Sequence, residues 1–243
     1  MAEARVHVGT SGWKYSHWKG VFYPKGVRTE EEFPFFCENF HTVEINNTFY
    51  NLPDSSKVRT WYEAAPEGFV FAVKASRYIT HIKKLKDPRG PVDTFIGTVG
   101  GLKEKLGPIL FQLPPSWSCN LERLESFLDA LPGGYRYTFE FRNEDWLRPE
   151  VYRLLEVRDA AFCIYDLAGK TTPRHTTASW VYIRLHGPGN AYEGLYSDQA
   201  LGGWAGAISA WKRAGRSVFC YFDNDQNGYA PSNARSLARM VES

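Results

Sequence analysis

The chain has 243 residues, enough to bury a sizeable core without help from metals or disulfides. Its 29 Lys and Arg against 27 Asp and Glu leave a formal charge of +2, which excludes a strong non-specific pull on nucleic acid, so any basic site has to be local. Four scattered cysteines (Cys37, Cys119, Cys163, Cys220) form no CxxC pair and lie in no His-rich stretch, which argues against a zinc site or a disulfide framework and fits a reduced compartment. The opening MAEARVHVGTSGW lacks the apolar core of a signal peptide, and no run of about 18 apolar residues occurs, so a soluble, cytoplasmic protein without membrane contact is expected.

Short apolar, β-branched or aromatic runs recur along the chain. The first four are RVHVGT (5–10), TVEIN (42–46), FVFAVK (69–74) and PILFQL (108–113). Four more follow at RYTFEF (136–141), AAFCIYD (160–166), WVYIRL (180–185) and VFCYFD (218–223), and each reads as a buried strand. Helical patterns lie between most of them, over 29–39, 55–65, 91–106, 119–130, 148–157, 197–214 and 231–242. Alternating strands and helices imply parallel strands joined by right-handed crossovers. Between the sixth and seventh strands, LAGKTTPRHTTAS is too short and too rich in Thr and Pro for a crossover helix, so an irregular connection over 167–179 is expected there. No GxGxxG follows the first strand, and eight strands in this length suit closure better than an open doubly wound sheet. The expected fold is one α/β domain, a (β/α)₈ TIM-like barrel over residues 1–243.

Sites on this architecture lie at the C-terminal ends of the strands, so the polar residues that end each run are candidates. In chain order they are Thr10 and Ser11, Glu44 and Asn46, Lys74, Gln112, Glu140 and Arg142, Asp166, Arg184 and His186, then Asp223 and Asn224. A barrel built only for stability could fill these positions with apolar side chains, because buried charge is costly unless paired. The loop SGWKYSHWKGVFYPKGVR (11–28) also interleaves rings with Lys and Arg, a pattern that suits base stacking or, alternatively, a satellite aromatic core.

The segments GTSGWKY (9–15), VEINNTFYNLP (43–53), FAVKASRYITH (71–81), LFQLPPSW (110–117), FEFRNEDW (139–146), RLHGPG (184–189) and YFDNDQNGYAPSNA (221–234) resemble the YecE-like family, also called domain-of-unknown-function family 72. The resemblance runs over nearly the whole chain and implies a TIM-like barrel without an established activity. It carries over Trp13, Glu44, Asn46, Tyr50, Lys74, His81, Gln112, Glu140, Arg142, His186 and Asn224 as motif residues. In YFDND (221–225), Asp223 departs from the amide or small polar residue that the family pattern implies.

The chemistry stays open among several classes. Catalytic candidates are Glu44, Glu140, Asp166 and His186; substrate-binding candidates are Trp13, Asn46, Tyr50, Lys74, Gln112, Arg142, Arg184 and Asn224. The carboxylates could pair as in glycoside hydrolysis, or hold a divalent metal ion, the one cofactor the sequence admits. The cations Lys74, Arg142 and Arg184 favour an anion, so the expected partner is a phosphate-bearing small molecule or a nucleic acid, and the expected reaction is phosphoester hydrolysis. A non-catalytic nucleic-acid-binding module would use the same residues. No GxSxG elbow, P-loop or dinucleotide fingerprint is present, and no oligomeric state is implied.

Overall fold

The computed structural model describes residues 3–242. Its strands are β1 (Val6–Ser11), β2 (Thr42–Ile45), β3 (Val70–Lys74), β4 (Leu106–Leu113), β5 (Tyr137–Phe141), β6 (Ala161–Leu167), a short β7 (Lys170–Thr171), β8 (Trp180–Leu185) and β9 (Ser217–Phe222). The helices are α1 (Thr29–Asn39), α2 (Ser55–Ala64), α3 (Arg89–Val99), α4 (Leu121–Ala130), α5 (Pro149–Glu156), α6 (Asp198–Arg213) and α7 (Tyr229–Glu242). The strands run in the order β5-β4-β3-β2-β1-β9-β8-β6, and β5 also pairs with β6, so all but β7 close into a parallel ring of eight. The expected eight-stranded barrel is therefore the observed fold.

Local chemistry explains several boundaries. Asp54 and Asn120 cap α2 and α4 by accepting the backbone N–H of Lys57 and Arg123, each at 2.8 Å. Pro149 opens α5 at a position where its missing N–H costs nothing. The connection from β6 to β8 has no helix, as its composition implies. Ala168 and Gly169, both at positive φ, form a two-residue turn that folds β7 antiparallel onto β6. Thr177 then spans the gap, accepting from the Phe162 N–H at 2.7 Å and donating to the Ala160 carbonyl at 2.7 Å.

Period-two alternation sorts the strand residues into two layers. One set, including Ala72, Leu110, Cys163, Trp180, Tyr182, Phe219 and Tyr221, fills the barrel interior. The other set, including Val43, Phe71, Phe111, Phe139, Ile183 and Phe222, packs into the larger core under the helices. No described helix is long and apolar enough to cross a membrane.

Candidate functional site

Continuing the interior alternation to the strand ends brings Ser11, Glu44, Lys74, Gln112, Glu140, Arg142, Arg184, His186 and Asp223 to the C-terminal mouth of the barrel. Arg184 is the hub, with only 1% of its surface exposed. Its Nε and Nη2 donate to Glu44 at 3.0 and 2.8 Å, its Nη1 to Glu140 at 2.8 Å, and its Nη2 also to Asp223 at 3.2 Å. Glu44 further accepts from the Ser11 hydroxyl at 2.5 Å and the Tyr182 hydroxyl at 2.6 Å, so both its oxygens are occupied in a fully buried place. Glu140 accepts from Arg142 Nε as well. Burial alone would raise the Glu140 pKa, but Arg142 and Arg184 outweigh it and hold the carboxyl well below the usual range.

His186 stands beside this hub. Its Nδ1 lies 3.0 Å from Asp223 Oδ2, while Nε2 faces Arg142 Nη2 at 3.0 Å and Arg184 Nη1 at 3.3 Å. Two guanidinium donors on Nε2 require a lone pair there, which assigns the proton to Nδ1 and leaves the ring neutral. Burial and then Arg184 push its pKa down, in agreement with that tautomer. Asp223 is the carboxylate that still reaches solvent, its side chain being 15% exposed. Burial would raise its pKa, yet the His186 hydrogen bond and Arg184 bring the net shift below the ordinary value.

Lys74 differs from the other cations. Its ammonium makes no hydrogen bond or ion pair to any described residue, and the Nζ sits over the Phe49 ring at 4.3 Å. Burial and then Arg184 lower its pKa to about 8, against the opposing pull of Glu140, Glu44 and Asp223. Around it the loop after β3 is unusual. It opens with a π-helical turn, Tyr78–Ile82, and three of its non-glycine residues, Lys84, Leu85 and Asp87, adopt positive φ. Both features are rare and cluster at functional sites. The loop carries Arg77, Lys83, Lys84 and Lys86 beside the exposed Tyr78 and Ile82, with exposed Tyr50 on the neighbouring loop after β2.

Seven of the eight charged residues and histidines at the strand ends share the mouth: Glu44, Lys74, Glu140, Arg142, Arg184, His186 and Asp223. Asp166 does not. Its neighbours Cys163 and Tyr165 take the inward parity, so the Asp166 carboxyl turns outward towards Tyr196 and Thr171, where burial raises its pKa. Among the expected binding residues, Gln112 and Asn46 line the mouth half-buried, and Asn46 Oδ1 has no hydrogen-bond partner. Tyr50 stands on the rim, 68% exposed. Trp13 instead packs against Phe33 and Trp61 at 4.9 and 6.0 Å between ring centroids. Asn224 is buried, donating to the Gly194 carbonyl and Asn233, and ties the loop after β8 to α7.

The stacking pattern of the loop after β1 resolves into the satellite core. Phe22 and Tyr23 are buried against Phe35, Phe36 and Phe40, and Trp18 is buried against Phe22 and Tyr23, because aromatic rings gain from mutual burial. Sequence reading did not single out Tyr182, which holds Glu44, or Phe49, which carries Lys74. Tyr182 was findable, lying two residues before Arg184 on the same face of β8. A separate groove of about 700 Å³ lies between α7, the end of α1 and β1, lined by His7, Phe22, Arg235 and Arg239 among others, and is remote from the mouth.

The donor set does not fit a divalent cation. No group of three His, Cys, Asp or Glu side chains among the described residues is arranged to hold a metal ion, and guanidinium groups already occupy Glu44 and Glu140. The same Arg184 fills the gap in which paired carboxylates would have to hold a sugar and a water.

Residues 7–243 match the family model described as "Protein of unknown function DUF72". The chain is 23% identical over 270 residues to the UPF0759 protein YunF of Bacillus subtilis, across 98% of this chain and 95% of YunF. It is 30% identical over 139 residues to the UPF0759 protein YecE of Escherichia coli, across 57% of this chain and 48% of YecE. Among solved structures, a DUF72 family protein of Thermotoga maritima superposes with a TM-score of 0.89 at 28% identity, over 98% of this chain and 100% of that one.

Proposed function

Since the chain belongs to the DUF72 family, whose description names no activity, its function has to be read from the site, and we propose that the barrel mouth binds a phosphate-bearing ligand, a nucleic acid strand or nucleotide in preference to a neutral sugar, and hydrolyses a phosphoester there. The observation that carries this reading is the loop after β3. Its four cations and the exposed Tyr78 follow directly on Lys74, the mouth cation with no ion-pair partner among the described residues. Rings that accept any base, set among cations that accept any phosphate, make a surface suited to a single strand.

The reacting groups follow from access. Glu44, Glu140 and His186 are buried and occupied, so they act by positioning: they fix Arg184, Arg142 and Asp223. Lys74 and the edge of Arg142 meet the anion and stabilise charge that develops on it. Asp223, ionised at neutral pH with one oxygen free, accepts the proton of an attacking water, while the His186 Nδ1–H keeps that carboxylate oriented.

The test is fluorescence anisotropy of a labelled single-stranded oligonucleotide at low and high salt, followed by product analysis. Binding that weakens steeply with salt, and that drops when Lys83, Lys84 and Lys86 are replaced by Ala, supports the reading. Binding of a neutral oligosaccharide that ignores salt overturns it. Salt-sensitive binding without any product leaves a binding module and removes the hydrolytic role of Asp223.

A further inference from the structure

We propose that Lys74 is an amine nucleophile whose Nζ condenses with an aldehyde or ketone carbon of a ligand in the barrel mouth to form an imine. The inference goes beyond phosphate recognition and does not depend on it.

Three observations place the amine. Lys74 ends β3 on the inward parity, and the Thr48 hydroxyl donates to its carbonyl at 2.6 Å, which roots the stem of the side chain. The Nζ rests 4.3 Å from the centre of the Phe49 ring rather than against a carboxylate. The mouth's other two cations, Arg142 and Arg184, are both tied to acids. An ammonium group buried without a counter-ion gives up its proton more readily than one in water, and the face of the Phe49 ring offsets this less than a carboxylate would.

The charged groups that face it come from several strands of the ring. Burial and then Arg184 from β8 lower its pKa to about 8, opposed by Glu140 of β5, Glu44 of β2 and Asp223 beyond β9. His81, in the π-helical turn, has its pKa pushed down by burial and then by Lys74 and Arg77, which favours its neutral ring. About a quarter of Lys74 is therefore uncharged near pH 7.5, compared with about one in a thousand for an ordinary lysine. Only the uncharged amine has the lone pair that attacks a carbonyl.

In the first step the Nζ lone pair forms a C–N bond, the carbonyl π electrons move to oxygen, and oxygen takes up a proton while nitrogen releases one. The resulting carbinolamine then loses its hydroxyl as water, with one further proton leaving Nζ, and the C=N bond forms. The balance is amine plus carbonyl to imine plus water, with no oxidant or reductant. Asp223, the mouth carboxylate that reaches solvent, is available to carry these protons.

The experiment uses the intact protein with pyridoxal, an aldehyde that lacks phosphate, and traps imines with borohydride before peptide mass mapping. Lys74 is expected to label at least tenfold faster at pH 7.5 than the exposed Lys14 and Lys25, with a rate that levels off near pH 8. Lys74→Met should remove that fast adduct and leave the slow ones. The proposal is overturned if Lys74 labels no faster than Lys14 and Lys25, or if its rate keeps climbing through the ordinary lysine range. Because pyridoxal carries no phosphate, loss of the phosphate reading would leave this result intact, and the reverse also holds.

Discussion

Replacing Arg184 by Met tests the architecture of the mouth. The guanidinium is 1% exposed and joins three acids, Glu44, Glu140 and Asp223, that come from separate strands. Methionine keeps much of the volume and removes the charge. Glu140 retains Arg142, but Glu44 loses its cation and keeps only Ser11 and Tyr182 as donors. Removing one partner of a buried pair typically costs about 3–5 kcal/mol, because the uncompensated charge stays behind. In a chain of this size that corresponds to a fall in Tm of roughly 6–20 °C.

The variant should also reverse the dependence on pH. In the parent, Glu140 and Asp223 have depressed folded values, so their contribution is fully present above the unfolded carboxylate range and is lost only as pH falls through those lower values. Between pH 7 and 5 they leave stability level. In the variant, the stripped carboxylate takes up a proton more readily folded than unfolded, so its stability should climb as pH drops across that window and be lost as pH rises. Urea denaturation at pH 5 and 7 reads both effects. A loss under 1 kcal/mol, or the same slope in both proteins, would refute the account of Arg184 as the charge hub.

Replacing Lys74 by Met should leave the protein as stable at pH 7 or more so, since it removes a part-buried cation that has no ion-pair partner; a loss above 1 kcal/mol in urea denaturation would mean that Lys74 is structural. Above pH 8 the parent should gain stability relative to this variant, because its unfolded lysine binds more protons than the folded one. Nitrogen NMR of histidine-labelled protein is expected to find His186 neutral with its proton on Nδ1 from pH 6 to 8, and an imidazolium signal there would contradict the hub geometry. Gly187→Ala should loosen the loop after β8 and lower Tm, because at φ +115 an added Cβ would stand 2.2 Å from the Glu193 carbonyl oxygen; proteolysis within 187–195 no faster than in the parent would count against this. Each lysine removed from the set Lys83, Lys84 and Lys86 should reduce the slope of log affinity against log salt for a single strand by about 0.7, and an unchanged slope would place the strand elsewhere.

The barrel was legible because its strands are short, apolar and separated by helical periodicity. Even the exceptional connection after β6 declared itself, since a segment as rich in Thr and Pro as LAGKTTPRHTTAS cannot make a crossover helix. The ring of strand-end residues was legible for the same reason, and strict use of alternation would have improved it. Counting by twos from Cys163 turns Asp166 outward, and counting back from Arg184 reaches Tyr182. What the sequence could not convey is which charges satisfy one another. Arg184 and Arg142 read as free anion ligands along the chain, whereas in the barrel they are committed to Glu44, Glu140 and Asp223, and Lys74 is left over. That distinction depends on distances between strands far apart in sequence. The rings of the loop after β1 pose the same difficulty, because burial of Phe22 and Tyr23 depends on Phe35 and Phe36 of α1 as well as on their own neighbours in the chain.

The most direct test of the proposed role of the mouth is the titration of Lys74 itself, followed by NMR on protein carrying isotope-labelled methyl groups on its lysine amines, with and without a nucleoside monophosphate. The free protein is expected to show one lysine titrating near about 8, assigned through its absence in Lys74→Met. A bound phosphate, being an opposite charge, should move that midpoint upward, whereas the matching nucleoside without phosphate should not. A Lys74 midpoint in the ordinary lysine range, or one that the monophosphate leaves unmoved at saturating concentration, would contradict phosphate recognition at the barrel mouth.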